Sequence, residues 1–201
     1  MTNAPLSRVP LLVGGVWLAA ATVLGASGRL QTLRPPAPQL VLLGLTAGLI
    51  VAGTVLPGFR AWAASVPLRH LVALHLTRFV GAYFLVLYRR GELPYAFAVP
   101  GGWGDIVVAA LALALLLSGP PTTPRRRLAY IGWNGLGLVD ILFVVATAAR
   151  LALADPDSMQ ALLRLPLSLL PTFLVPLIIA SHLLLAIRLA RLPGSPLAKA
   201  V

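Results

Sequence analysis

The sequence predicts an all-α integral membrane protein: one six-transmembrane-helix bundle spanning residues 1–201, both termini cytoplasmic, with a short outer interfacial helix between helices five and six. Three observations predict it. Of 201 residues, 59% are hydrophobic and only 10% charged, against about 25% charged in a soluble domain, and mean hydropathy is +0.92. The apolar residues gather into six runs near the roughly 20-residue length that crosses a hydrocarbon core. Arginine is distributed unevenly between the turns that separate those runs.

The runs are taken in order. The first, about Val9–Ser27, has Arg8 ahead of it and "GAS" behind, so it mimics a signal peptide; we expect it to be retained as a helix. The second, Leu40–Leu56, holds "GLTAG", whose Gly44 and Gly48 favour tight packing against a neighbouring helix. The third is His70–Leu87, ended by "RRGELP", where Gly91 can serve as C-cap and Pro94 stops continuation. The fourth, Val99–Leu117, opens on Pro100, Gly101, Gly102 and Gly104 just before Asp105. A span that starts so loosely can begin below the membrane surface and line a transport path; the plainer reading is close packing around Trp103. The fifth is Leu128–Ala149 and the sixth Leu167–Ala190, with Pro171 and Pro176 predicted to kink it and free carbonyls. Between these two, Asp157 or Ser158 can cap a short helix that carries Met159, Leu162 and Leu163 on one side.

Orientation follows from the basic residues. One side holds Arg8, Arg60, Arg69, Arg125, Arg126, Arg127, Arg188, Arg191 and Lys199, the other Arg29, Arg34, Arg89, Arg90, Arg150 and Arg164. The second side also holds Glu92, Asp155 and Asp157, so the positive-inside rule puts both termini in the cytoplasm. Fifteen of the 16 basic residues are Arg, which with abundant Ala, Leu, Gly and Pro points to a bacterial inner membrane. The formal charge of +11 reads as topology signal and contact with lipid headgroups, and nucleic-acid binding is rejected. The absence of cysteine excludes disulfides, thiolate metal sites and covalently attached haem. No lysine lies within a span, so a Schiff-base chromophore has no attachment point. No catalytic arrangement of a familiar type is present: there is no H-E-x-x-H, no G-x-S-x-G and no pair of carboxylates at helical spacing.

Five ionisable side chains fall inside the spans: His75, Arg78, Asp105, Asp140 and His182. Each costs about 2.5–3.5 kcal/mol on the insertion scale, so a stable helix turns it inward and pairs it. At about 1.5 Å per residue, His75 and His182 lie at a shared depth near the cytoplasmic boundary. Arg78 lies one turn deeper, and Asp140 near the midplane. On α-helical faces Leu71, His75, Arg78 and Ala82 form one stripe, Trp133, Gly137 and Asp140 a second, and Pro171, Val175, Ile178 and His182 a third. His70 falls on the opposite side, at the boundary, as a snorkelling residue.

Each signal has a bland and a functional reading. Arg78 with Asp140 or Asp105 is most simply an ion pair that fixes helix register, and the histidines and Asn134 most simply hydrogen-bond across helices. The leading functional expectation is a b-type haem ligated as a metal centre by His75 and His182. Arg78 would hold its propionates, Trp133 and Gly137 would shape the pocket, and a quinone or membrane redox complex would be the partner. The alternative is a small proton-coupled transporter that uses Asp140, Asp105 and Arg78. A third reading is an accessory subunit of a respiratory or photosynthetic complex. The sequence leaves a homo-oligomer open.

Overall fold

The computed structural model describes residues 8–191; Lys199 and both terminal tails, which entered the orientation count, lie outside the described residues. The described residues are helical or in turns, with no strand among them. In order they form α1 (Arg8–Ala26), α2 (Ala37–Val55), α3 (Pro57–Ser65), α4 (Leu68–Leu74), α5 (Gly81–Arg89), α6 (Tyr95–Ser118), α7 (Pro124–Ala154) and α8 (Val175–Ala190). Among the described residues six helical segments are long and apolar enough to cross a membrane: α1, α2, Leu68–Arg89, α6, α7 and Leu170–Ala190. Pro36, Pro57 and Pro124 stand at helix starts, where the missing N–H is no loss.

Two compact units can be described separately, residues 8–66 with 160–177, and residues 67–159 with 178–191. In the first, α1 and α2 pack on a π-helical turn, Leu170–Leu174. The turn begins beside Pro171, and its Thr172 carbonyl accepts a hydrogen bond from Trp17 Nε1 at 2.9 Å while Phe173 packs edge-on to the Trp17 ring. The prolines predicted to free carbonyls therefore do so through a π turn. The close packing predicted at Gly44 and Gly48 is not found among the described residues. A Cβ at either would meet nothing within 4 Å, and α2 buries Leu42 and Thr46 instead.

The second unit holds the apolar core of Val72, Val108, Ala112, Tyr130, Trp133, Leu185 and Leu189. Here the third span departs from its predicted form. It is α-helical from Leu68 to Leu74, 3-10 from His75 to Val80 and α-helical again from Gly81 to Arg89. Every third residue from Val72 through His75, Arg78, Gly81 and Phe84 to Leu87 is buried, whereas Leu71 is half-buried and Ala82 exposed. The predicted stripe of Leu71, His75, Arg78 and Ala82 is thereby corrected, because three residues per turn replaces 3.6 at its centre.

The ends of α5 follow the sequence closely. Gly91 adopts φ 74°, its N–H bonds the Tyr88 carbonyl, and the Glu92 N–H bonds the Leu87 carbonyl, each at 2.9 Å. This pairing is a Schellman motif. The loose opening predicted for the fourth span is absent, since α6 runs unbroken from Tyr95 with Pro100 inside it. Trp103 is exposed, so the glycines serve another contact, described below. The predicted cap near residue 157 is supplied by Asp155, whose carboxylate accepts from the Asp157 N–H at 3.1 Å and opens the 3-10 stretch Pro156–Leu163. Met159 and Leu163 are buried in that stretch.

Candidate functional site

Every ionisable side chain expected inside the spans meets in one cluster within the second unit. The 3-10 segment is the reason His75 and Arg78 both contribute. At 120° per residue, positions three apart eclipse, and His75 is 0% and Arg78 1% exposed. Gly81 continues the line. A Cβ there would strike the Gly102 carbonyl oxygen, and a Cβ at Gly102 would come within 2.8 Å of the Gly81 oxygen. Paired glycines thus let α5 and α6 touch backbone to backbone, which draws Asp105 toward Arg78. Gly104 leaves room for Asp140 of α7, since a Cβ there would collide with the Asp140 carboxylate.

Arg78 uses all three of its nitrogens. Nε donates to Asp105 Oδ1 at 2.6 Å, Nη1 to the Gly137 carbonyl at 2.9 Å, and Nη2 to Asp140 Oδ2. One rigid fork so joins two carboxylates and a backbone oxygen from α6 and α7. The Asp105 side chain is 5% exposed and that of Asp140 15%. Asp140 therefore borders the outside of the unit, beside the exposed apolar flank of Leu136, Val139 and Phe143.

The two histidines touch each other. Their ring centroids are 4.2 Å apart with planes tilted 48°, and Trp133 meets His75 edge-on at 5.0 Å. Trp133 is fixed by donation from Nε1 to the Val108 carbonyl at 3.0 Å. The hydrogen-bond network decides each imidazole tautomer. Asn134 Nδ2 donates to the His182 carbonyl at 3.1 Å, so Asn134 Oδ1 must accept, and His182 Nδ1 donates to it at 2.9 Å. Ser181 gives its one proton to the Ile178 carbonyl at 2.8 Å, so it accepts from His75 Nε2 at 3.1 Å. What remains on the neutral rings is a lone pair at His75 Nδ1 and another at His182 Nε2, both buried without a hydrogen-bond partner. Gly137 makes room for the second, since a Cβ there would lie 2.6 Å from His182 Cε1 and 3.0 Å from Nε2.

This arrangement does not fit a haem held between the two imidazoles. Metal–nitrogen bonds near 2 Å on opposite faces of an iron would place the ring centroids about 6 Å apart with a flat macrocycle between them. Here the rings are in contact, both 0% exposed. Among the described residues no three His, Cys, Asp or Glu side chains are grouped to hold a metal ion.

The residues named from sequence are thus brought together: His75, Arg78, Asp105, Trp133, Gly137, Asp140 and His182. Asn134 makes the cross-helix hydrogen bonds expected of it, to His182, whereas the role of Ser181 is the one sequence reasoning missed. Asn134 lies one turn before Gly137 and nearly two before Asp140, and this spacing was the available signal for it. Ser181 carries no comparable signal, because its role depends on the orientation of a ring 106 positions away.

Residues 35–190 match the family model described as "Domain of unknown function (DUF8737)". The chain belongs to that family, and the matched region contains the whole cluster. No curated protein and no solved structure matches the chain.

Proposed function

We propose that the chain is a multi-pass protein of a bacterial inner membrane, both termini cytoplasmic, in which Arg78, Asp105 and Asp140 form the proton-exchanging site of a small proton-coupled transporter. One observation carries this reading: a single guanidinium is shared by two carboxylates in an apolar core. With both carboxylates ionised the three groups sum to −1; one proton on either brings them to zero. In a low-dielectric interior an uncompensated charge is expensive, so the triad is suited to take up and release one proton. Asp140, the more exposed carboxyl, is where that proton arrives and leaves. The lone pair on His182 Nε2 borders the same Gly137 and supplies a second resting place for it.

The "RRR" at 125–127 in the first turn of α7 supports the orientation. A redox role through haem draws no support from rings in mutual contact, and with it a quinone or redox partner loses its motive. A purely structural ion pair is the competing reading, and a substrate-independent measurement separates the two. Infrared difference spectra of the purified protein, recorded as pH is stepped across its folded range, should contain a carboxyl C=O band that vanishes in Asp140→Asn or Asp105→Asn. In vesicles enclosing a pH-sensitive dye, Asp140→Asn should abolish proton movement that the wild type supports. No titrating carboxyl band in the wild type would overturn the reading.

A further inference from the structure

Away from the Arg78 cluster, the second unit has a cavity of about 680 Å³ where the first turn of α4, the end of α6 and the start of α7 meet. Its wall combines two kinds of surface. Pro67, Leu68, Ala73, Leu116 and Pro121 are apolar, while Arg69 and His70 are basic, and none of the lining residues is acidic. A third basic group reaches the rim: Arg126 Nη1 lies 3.6 Å from where a Cβ on Gly119 would stand, and Gly119 lines the cavity. Tyr130 closes the inner wall, its hydroxyl bonding the Gly119 carbonyl at 3.0 Å and so tying the loop after α6 to α7.

We infer that this cavity seats the headgroup of an anionic phospholipid, with the phosphate between Arg69 and Arg126 and the first methylenes of an acyl chain against Leu68 and Leu116. A soluble anion gains nothing from aliphatic walls, whereas a lipid uses both surfaces. Leu117, next in sequence to the lining Leu116, and Leu128, two before the lining Tyr130, are 80% and 61% exposed. The volume falls within the roughly 300–1,000 Å³ of small-molecule sites. Basic pockets between helices at the cytoplasmic boundary are where such headgroups bind. The inference is independent of the proton reading, since it uses none of the same side chains.

The test is native mass spectrometry of delipidated protein titrated with phosphatidylglycerol or phosphatidylcholine in mild detergent. Phosphatidylglycerol should be retained preferentially, and Arg69→Gln and Arg126→Gln should each weaken its retention about fivefold, as one charge near the surface implies. Arg150→Gln, at the far end of α7, should leave retention unchanged. Thermal unfolding without lipid checks that the variants fold; Arg126 is exposed, so its variant carries the test if Arg69→Gln is unstable. Equal retention of the two lipids would overturn the inference. So would full retention by the folded Arg126→Gln variant, or displacement of phosphatidylglycerol by millimolar inorganic phosphate.

Discussion

His75 and Arg78 stand one above the other, a single 3-10 turn apart, and both are withdrawn completely from the surface. The same three-residue step runs on to Gly81, where side-chain volume is not tolerated. An α-helix through these positions would turn Arg78 about 60° away from His75, and one of the two would leave the cluster.

This spacing makes the third span readable by substitution. Gly81→Ala should destabilise by about 1–3 kcal/mol, because the new methyl meets backbone that cannot step aside. Gly44→Ala in α2, which meets nothing within 4 Å, should be neutral or stabilising by the roughly 1 kcal/mol of helix propensity. Denaturant titration in mixed micelles measures both.

The charge count makes the triad asymmetric. Arg78→Gln leaves two carboxylates facing each other without a cation and should lose about 3–5 kcal/mol. Asp140→Asn keeps Arg78 paired to Asp105 and should lose less than half of that. Arg78→Lys should resemble the glutamine variant, because a point charge cannot reproduce a fork that spans two helices. Equal losses in Arg78→Gln and Asp140→Asn would show that the second carboxylate is not in excess.

Asn134 holds His182 by its ring and by its carbonyl. Asn134→Leu removes both bonds and should lose about 1–3 kcal/mol. It should also release the His182 tautomer, which nitrogen-15 NMR of labelled histidine detects as a change in the Nδ1 and Nε2 shifts. Ser181→Ala should shift the His75 resonances and leave those of His182 in place.

Gly137→Ala tests how tightly the histidine pair is seated. Its methyl would fall 2.6 Å from His182 Cε1, so the ring must swing away and the protein should lose about 1–3 kcal/mol. The quenching of Trp133 fluorescence by the two adjacent imidazoles should change with it. An unchanged emission spectrum and an unchanged unfolding midpoint would mean that the ring has room to move.

The six long apolar helices were legible because hydropathy over some 20 residues survives any error in rotation. The members of the site were legible because ionisable groups in apolar runs are rare and must find one another. Its internal geometry was not. Whether His75 and His182 flank a gap or touch depends on a rotation of a few tens of degrees, and periodicity does not resolve that. The 3-10 turn was hidden for a related reason: positions three apart are neighbours in both helix types. Only Gly81 betrays it, and its meaning appears only once Gly102 is opposite.

The triad also imposes an order on biosynthesis. Arg78 finds its partners 27 and 62 residues further along the chain. At about 5–20 residues per second, Asp140 is made roughly 3–12 s after Arg78. Until Asp105 is made, 27 residues on, the third apolar segment carries an uncompensated cation. On the membrane reading proposed above, its insertion is therefore contingent on the segment that follows, and a ribosome stalled between residues 78 and 105 would leave it waiting at the insertion machinery.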